Sequence, residues 1–295
     1  MPDSARRAVQ RVAPAKVNLS LRVVGRRADG YHELDGLIAF AEAGDIVSVR
    51  PADALSLEVS GPYAEALSAE TDNLVLRAAR ALAAAAGREP GAAIVLDKQL
   101  PVAAGLGGGS ADAAAALHAL AELWGVELPA ARLGGLALEL GADVPICLHG
   151  QAAFVSGIGE RIGPAPHLPA AWLVLANPGF ELATAEVFRG RARDGAAYSP
   201  PATRWDAPPA DAGALARHLA RDGNDLEAAA RVLRPEIGAV LGALERRPGC
   251  LLARMSGSGA TCFGLFAEPA AAEAAAAQLS AEHPGWWLRW AKLTG

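Results

Sequence analysis

The chain has 295 residues, 52% hydrophobic and 20% charged, which is ample apolar material for a core and excludes disorder as a global description. Its formal net charge of -5 argues against a general electrostatic affinity for nucleic acid or for an anionic membrane surface. At about 150 residues per domain, the length fits one large or two ordinary domains. Cys147, Cys250 and Cys262 are widely spaced with no CxxC pair, which fits a reducing compartment and neither a disulfide framework nor a zinc site. The basic N-terminus lacks the apolar core of a signal peptide, and no apolar stretch approaches the ~20 residues of a membrane span. A soluble, cytoplasmic protein is expected.

Val17, Leu19, Leu21 and Val23 alternate with Asn18, Ser20 and Arg22, the period of a half-buried strand. Residues 25–31 read as a turn around Asp29-Gly30. Residues 37–40, 45–50 and 56–59 are expected as three further strands. Thr71, Asp72 and Asn73 are N-cap candidates for an alanine-rich helix reaching about Ala86, with Gly87 as its stop. The pattern then predicts a strand over 92–96, a helix from Ala111 to about Leu123, and a helix begun by Pro129 that ends near Gly141. There Gly141 is expected to take the left-handed cap and Pro145 to block continuation. A strand over 150–158 and a proline-studded connector over 161–169 place the candidate boundary, giving domains 1–160 and 161–295. Beyond it come a strand (172–176), a helix (183–193), a proline-rich surface segment (199–209) and two helices. A hairpin (251–255 with 261–266), a helix (270–279) and a closing strand (286–290) complete an α+β chain.

Pro101-Val102-Ala103-Ala104-Gly105-Leu106-Gly107-Gly108-Gly109-Ser110, leading into Ala111, is the strongest local feature. Glycines let backbone N–H groups approach an anion, and the helix behind adds the positive end of its dipole, so phosphate is the natural guest. A P-loop would need a lysine beside Ser110, and a dinucleotide fingerprint a third glycine where Ser110 stands; neither fits. A flexible packing turn is the alternative. A second cluster, Met255-Ser256-Gly257-Ser258-Gly259-Ala260-Thr261, is either a hairpin turn or a second phosphate-facing loop. Asp143, in Gly141-Ala142-Asp143-Val144-Pro145, is either a turn cap or a catalytic carboxylate. Only three of the 27 basic residues are lysines: Lys16, Lys98 and Lys292. Lys16 enters the first strand, where a solvated edge lysine is the plain expectation; Lys98 and Lys292 suggest no role.

Pro14-Ala15-Lys16-Val17-Asn18-Leu19 followed by Gly25-Arg26-Arg27-Ala28-Asp29-Gly30-Tyr31-His32, the glycine loop, the Asp143 loop, Asn224-Asp225-Leu226-Glu227 and the 255–261 cluster occur in one order over nearly the whole chain. Together they resemble the GHMP kinase superfamily, and the opening motif resembles its branch acting on 4-diphosphocytidyl-2-C-methyl-D-erythritol in the non-mevalonate route to isoprenoids. The resemblance implies a two-lobed fold, with an N-terminal ribosomal-protein-S5-like lobe, a C-terminal ferredoxin-like α/β lobe and the active site between them. It implies transfer of the ATP γ-phosphoryl group to the substrate's 2-hydroxyl, with Mg²⁺ whose protein ligand is unknown. Lys16 and Asp143 would be the catalytic pair, and Pro101 to Ala111 the ATP loop. Asn18 would bind substrate, Tyr31 and Phe188 would sandwich the cytosine with His32 on its edge, and Thr184 would lie near the erythritol. This chain departs from the pattern at Ala185, where proline is frequent, at Ile38, where some members carry an aromatic ring, and at Ala111, where a second serine is frequent. Other kinases of the superfamily (homoserine, mevalonate, galactose) and a non-catalytic nucleotide binder are the competing expectations. The partners implied are a small molecule and no nucleic acid or membrane, on a monomer or weak homodimer.

Overall fold

The computed structural model describes residues 8–68, 72–205 and 207–295; Thr71, one of the expected N-cap candidates, lies outside them. In chain order the elements are β1 (Val9–Asn18), β2 (Arg22–Arg26), β3 (His32–Pro51), β4 (Ser56–Ser60), α1 (Leu74–Ala85), β5 (Ala92–Asp97), α2 (Gly108–Trp124), α3 (Ala130–Leu140) and α4 (Val144–His149). They continue with β6 (Ala153–Gly157), β7 (Arg161–Pro164), β8 (Trp172–Asn177), α5 (Thr184–Arg193), α6 (Ala212–Asp222), α7 (Glu227–Leu233) and α8 (Glu236–Glu245). The last are β9 (Cys250–Met255), β10 (Cys262–Phe266), α9 (Pro269–Glu282) and β11 (Trp287–Thr294). Among the described residues no helix is long and apolar enough to cross a membrane.

The chain forms two compact units that interleave along the sequence. The first takes the described part of Met1–Ala15 with Gly44–Val102 and Gly107–His149. Here β5 pairs antiparallel with the second half of β3 and parallel with β4. Asn73 caps α1 by accepting from the Val75 amide at 2.9 Å, and α1 buries Val75, Ala78, Ala79, Leu82 and Ala83, the spacing of one helical face. Helix α2 is different: Ala111 through Leu117 are all buried, so it is covered on most of its circumference. Small side chains allow that close packing, and α1 and α4 lie against it.

The second unit takes Lys16–Ala43, Ala103–Leu106 and Gly150–Gly295. Its strands run β11-β8-β10-β9, all antiparallel, with α8 and α9 packed against them. Ile237, Val240 and Leu244 from α8 share one buried core with Ala272, Ala276 and Leu279 from α9, Val174 and Phe266. The end of β11 pairs with Phe40 and Ala41, and the first half of β3 pairs with β2 and β6.

Several expectations change. The strands expected at 37–40 and 45–50 are one strand of 20 residues, with Ala41 to Gly44 extended in its middle. The strand read over 17–23 is two, β1 and β2, and it is buried without a break from Val17 to Leu21 instead of on alternate residues. The connector over 161–169 begins with β7, which pairs with β6. Three helices, not two, follow the proline-rich segment. That segment is anchored as well as exposed: Ala202 is buried, its amide donates to Asp35 at 2.9 Å, and Arg204 grips the same carboxylate with both guanidinium nitrogens. Gly141 is extended (φ 166°), not left-handed. Helix α3 ends at Leu140, short of Pro145, and Pro145 sits in the first turn of α4, where a missing N–H costs nothing.

Gly36 fixes how the chain after β1 lies on β3. A Cβ there would fall well inside contact distance of the Ser20 carbonyl oxygen, while the Leu19 amide bonds Leu37 O at 2.8 Å and Ser20 Oγ accepts from the Leu37 amide at 3.1 Å. Gly36→Ala is therefore expected to cost about 1–3 kcal/mol by overpacking. Gly135→Ala, at an exposed helical site where an added Cβ meets nothing within 4 Å, should gain about 0.5–1 kcal/mol. Thermal unfolding of the two variants should shift Tm in opposite directions.

Candidate active site

The glycine loop is held by its carbonyls. Ala103 (φ 52°), Gly105 (φ 76°) and Gly107 (φ 62°) are left-handed, and Gly107 is the N-cap of α2. Left-handed residues alternating with ordinary ones turn successive N–H groups toward one concave side, the geometry of an anion nest. Three successive carbonyls point elsewhere and are taken. Ala104 O accepts from the Thr261 amide (3.1 Å), Gly105 O from the Ser256 hydroxyl (2.9 Å), and Leu106 O from the Lys16 amide (2.9 Å). Gly105 has no alternative residue: an added Cβ would lie 2.5 Å from Ser256 O and 2.7 Å from Gly259 O. Helix α2 begins at Gly108, three residues earlier than expected, so Gly108, Gly109, Ser110 and Ala111 form its first turn. Pro101 and Val102 lead in from β5.

The second cluster thus packs against the first half of the glycine loop. Ser256 also accepts from the Asn18 amide at 3.1 Å, so one hydroxyl joins β1, the loop and the β9–β10 turn. Asn224 secures that turn: its Nδ2 donates to Met255 O and Gly257 O, both at 2.8 Å, while its Oδ1 accepts from the Leu226 amide. Asp225 accepts from the Val23 amide (2.7 Å) and Glu227 from the Met255 amide (3.1 Å). The Asn-Asp-Leu-Glu motif is therefore a clamp on the turn and on β2. Thr184 joins the cluster through a 2.8 Å hydrogen bond between its hydroxyl and that of Ser258.

Lys16 and Asn18 line this region from β1, and both are buried, 5% and 6% exposed. The solvated edge lysine does not hold: Ala15, Val17 and Leu19 bury one side of the strand while Lys16 and Asn18 are covered on the other. Asn18 Oδ1 is buried with no hydrogen-bond partner, beside Gly257, where an added Cβ would lie 3.1 Å from it. A buried unpaired amide oxygen is costly and stands ready for a donor.

His32 and Phe188 come together, their rings stacked at 4.7 Å and 17°. Tyr31, by contrast, is 62% exposed, held at the turn by its amide to Asp29. In this structure the ring stacked on Phe188 is that of His32. Burial, Arg26 and Arg191 all lower the His32 pKa from the ordinary value, favouring the neutral imidazole. Ile38 is a core residue of β3. Asp143 lies in the first unit, half-buried in the link between α3 and α4, where its carbonyl accepts from the Cys147 amide at 3.2 Å.

One group escaped the sequence reading. Lys98, 2% exposed, donates to Asp45 and to Asp112 (2.8 Å) on α2. Burial, opposed by Lys98 and reinforced by Asp45, raises the Asp112 carboxyl to about 8. The available signal was a lysine surviving in an arginine-rich chain and an aspartate inside an alanine helix. Among the described residues no three His, Cys, Asp or Glu side chains gather as a metal cage.

The GHMP kinases N terminal domain family matches residues 73–151, and the GHMP kinases C terminal family matches 209–285. The chain is 56% identical over 281 residues to 4-diphosphocytidyl-2-C-methyl-D-erythritol kinase of Paramagnetospirillum magneticum, covering 95% of this chain and 97% of that one. It is 55% identical over 282 residues to the enzyme of the same name from Parvibaculum lavamentivorans, covering 95% and 96%. A crystal structure of 4-(cytidine 5'-diphospho)-2C-methyl-D-erythritol kinase superposes with a TM-score of 0.79 at 39% identity, over 97% of this chain and 99% of that one.

Two outcomes check the site's construction. Asn224→Ala strands two carbonyls and should cost about 1–3 kcal/mol in urea unfolding, whereas exposed Tyr31→Ala should stay within about 0.5 kcal/mol of wild type. The His32 ring should titrate below the ordinary 6.5 in an NMR pH series. Because the folded-state value is depressed, its contribution to stability is present above 6.5 and is lost as pH falls through the folded value.

Proposed function

The chain belongs to the 4-diphosphocytidyl-2-C-methyl-D-erythritol kinases of the GHMP kinase family, and we propose that it transfers the γ-phosphoryl group of ATP to the 2-hydroxyl of that cytidylated alcohol through Asp143 and Lys16. The observation that carries the reaction is identity above 50% over nearly the full length of both chains. The product is the 2-phosphate, on the non-mevalonate route to isoprenoids. The residue roles are our reading, supported by the geometry within each unit.

Asp143 is the base. A tertiary hydroxyl is a weak nucleophile, and a carboxylate that accepts its proton lets the oxygen attack the γ-phosphorus while ADP leaves. Lys16 supplies a compact positive charge to the transferring phosphoryl group, a task the planar fork of arginine does not reproduce. Its burial supports the role, since an ammonium shielded from water acts more strongly on a developing negative charge. Pro101 to Ala111 cradle the ATP phosphates, supported by the left-handed backbone and the N-terminus of α2.

On the acceptor side, Asn18 offers its unpaired Oδ1 to a substrate hydroxyl. Thr184 is supported by its bond to Ser258 in the same cluster. For cytosine we retain Tyr31, His32 and Phe188, with the neutral His32 suited to an uncharged base edge. Mg²⁺ neutralises phosphate charge in such transfers and needs only one or two protein oxygens besides the nucleotide. Among the described residues no metal cage competes with that, and Ser110 offers the one hydroxyl in the first turn of α2. A cytoplasmic setting is consistent with three widely spaced cysteines and no CxxC pair, and we read the protein as a monomer or weak homodimer.

The test is ADP release from purified protein with ATP, Mg²⁺ and a panel of alcohols. The cytidylated methylerythritol should be preferred over homoserine, mevalonate and galactose. Asp143→Asn should lower kcat by ~10²–10⁴, and Lys16→Arg should also reduce it. Near-wild-type turnover in Asp143→Asn would remove that residue from the chemistry.

A further inference from the structure

The buried cluster under the glycine loop has no place in the mechanism above, yet it touches both ends of that loop. Asp45, fully buried on β3, accepts at Oδ1 from the amides of Gln99 (2.6 Å) and Leu100 (2.8 Å), the two residues before Pro101. Its Oδ2 accepts from Lys98, whose Nζ also donates to Asp112 Oδ2 at 2.8 Å. Asp112 stands one turn beyond Gly108 at the start of α2. Gly108 lies directly over the ammonium: an added Cβ there would sit 3.0 Å from Lys98 Nζ and 3.6 Å from Asp45 Oδ2. The lysine is itself fixed, its amide bonding Ser60 O at 2.8 Å and its carbonyl accepting from the Tyr63 amide at 3.3 Å.

We propose that Asp45, Lys98 and Asp112 are positioning residues for ATP, a buried tie that holds the lead-in of the phosphate loop and the first turn of α2 at a fixed separation. A buried ion cluster is a poor way to gain stability, because apolar residues of similar volume fill such a site as well or better. What it does supply is direction. Lys98 reaches both carboxylates at once only when Gln99–Leu100 and the Asp112 turn stand in one relative arrangement, and the N–H groups between them inherit it. Displacing such groups by an ångström is enough to spoil an anion site. The raised pKa of Asp112 fits the arrangement: a proton on this carboxyl leaves the cluster neutral beneath a site meant for phosphate. Asparagine reproduces that protonated form and keeps an oxygen for Lys98.

The inference rests on the reading of Pro101 to Ala111 as the nucleotide-phosphate loop. Asp112 is the position to vary, since removing Lys98 would strand two buried carboxylates. ATP binding by titration calorimetry and steady-state kinetics would be measured for wild type, Asp112→Ala and Asp112→Asn. Asp112→Ala, placing a strong helix former in α2, should remain folded and raise Kd and KM for ATP by roughly 10–10²-fold. KM for the alcohol should stay unchanged, and Asp112→Asn should restore ATP affinity to within about threefold of wild type. ATP affinity unchanged in Asp112→Ala, or KM for both substrates moving together with Tm, would overturn the assignment and leave the kinase reading intact. A wild type that binds no ATP would overturn the phosphate-loop reading and this assignment with it.

Discussion

The hydroxyl of Ser256 is the small part on which the second unit's site depends. It accepts from the Asn18 amide and donates to Gly105 O, so a strand near the N-terminus, the glycine loop and a turn late in the chain share one atom. With Thr261 on Ala104 O and the Lys16 amide on Leu106 O, it occupies every carbonyl from 104 to 106. A peptide plane whose C=O is tied down has its N–H direction set as well. That is how a run of glycines, conformationally loose in isolation, becomes a loop with fixed donors. The glycines permit the shape; Ser256, Thr261 and Lys16 select it.

The same logic explains why the Asn-Asp-Leu-Glu motif lies far from the other motifs in sequence. Asn224 holds Met255 O and Gly257 O, and Glu227 holds the Met255 amide, so the turn carrying Ser256 cannot drift. Asp225 binds the Val23 amide, which keeps β2 beside the same turn. Support therefore passes from a helix start to a turn, and from the turn to the loop, through hydrogen bonds that are individually modest. Their combined effect is positional.

How much of this could be read in the letters depended on whether the signal was local. Element existence was legible where a face repeats: 75, 78, 79, 82 and 83 on α1 make one helical stripe, and the β9–β10 hairpin flanks a glycine turn. The glycine loop and the Asp143 turn were legible because glycine spacing and Gly-Ala-Asp-Val-Pro are contiguous. What was not legible was decided by tertiary partners. β3 runs for 20 residues with partners on both its halves, and β7 exists because β6 is there to bond it. Helix α4 was missed because a proline that bars one helix is equally fit to begin the next. Lys98 stood out only as a lysine among arginines and could not be given a role, since its partners at 45 and 112 meet only in the fold.

The alternation at the start of the chain carries a more general point. Apolar residues at 15, 17 and 19 alternating with polar ones at 16, 18 and 20 ordinarily mean one face in the core and one in water. Here all six are buried. The polar face must then find partners other than solvent, and it does so unevenly: Ser20 Oγ accepts from the Leu37 amide, while Asn18 Oδ1 has none. Burying a polar face costs free energy unless each group is satisfied, so an unsatisfied oxygen between a lysine and a serine is difficult to explain by folding alone. In the site we propose, a substrate hydroxyl supplies the missing donor. On that proposal, a polar stripe that the fold removes from water and then leaves incomplete is where the strand stops serving the core and begins serving the ligand.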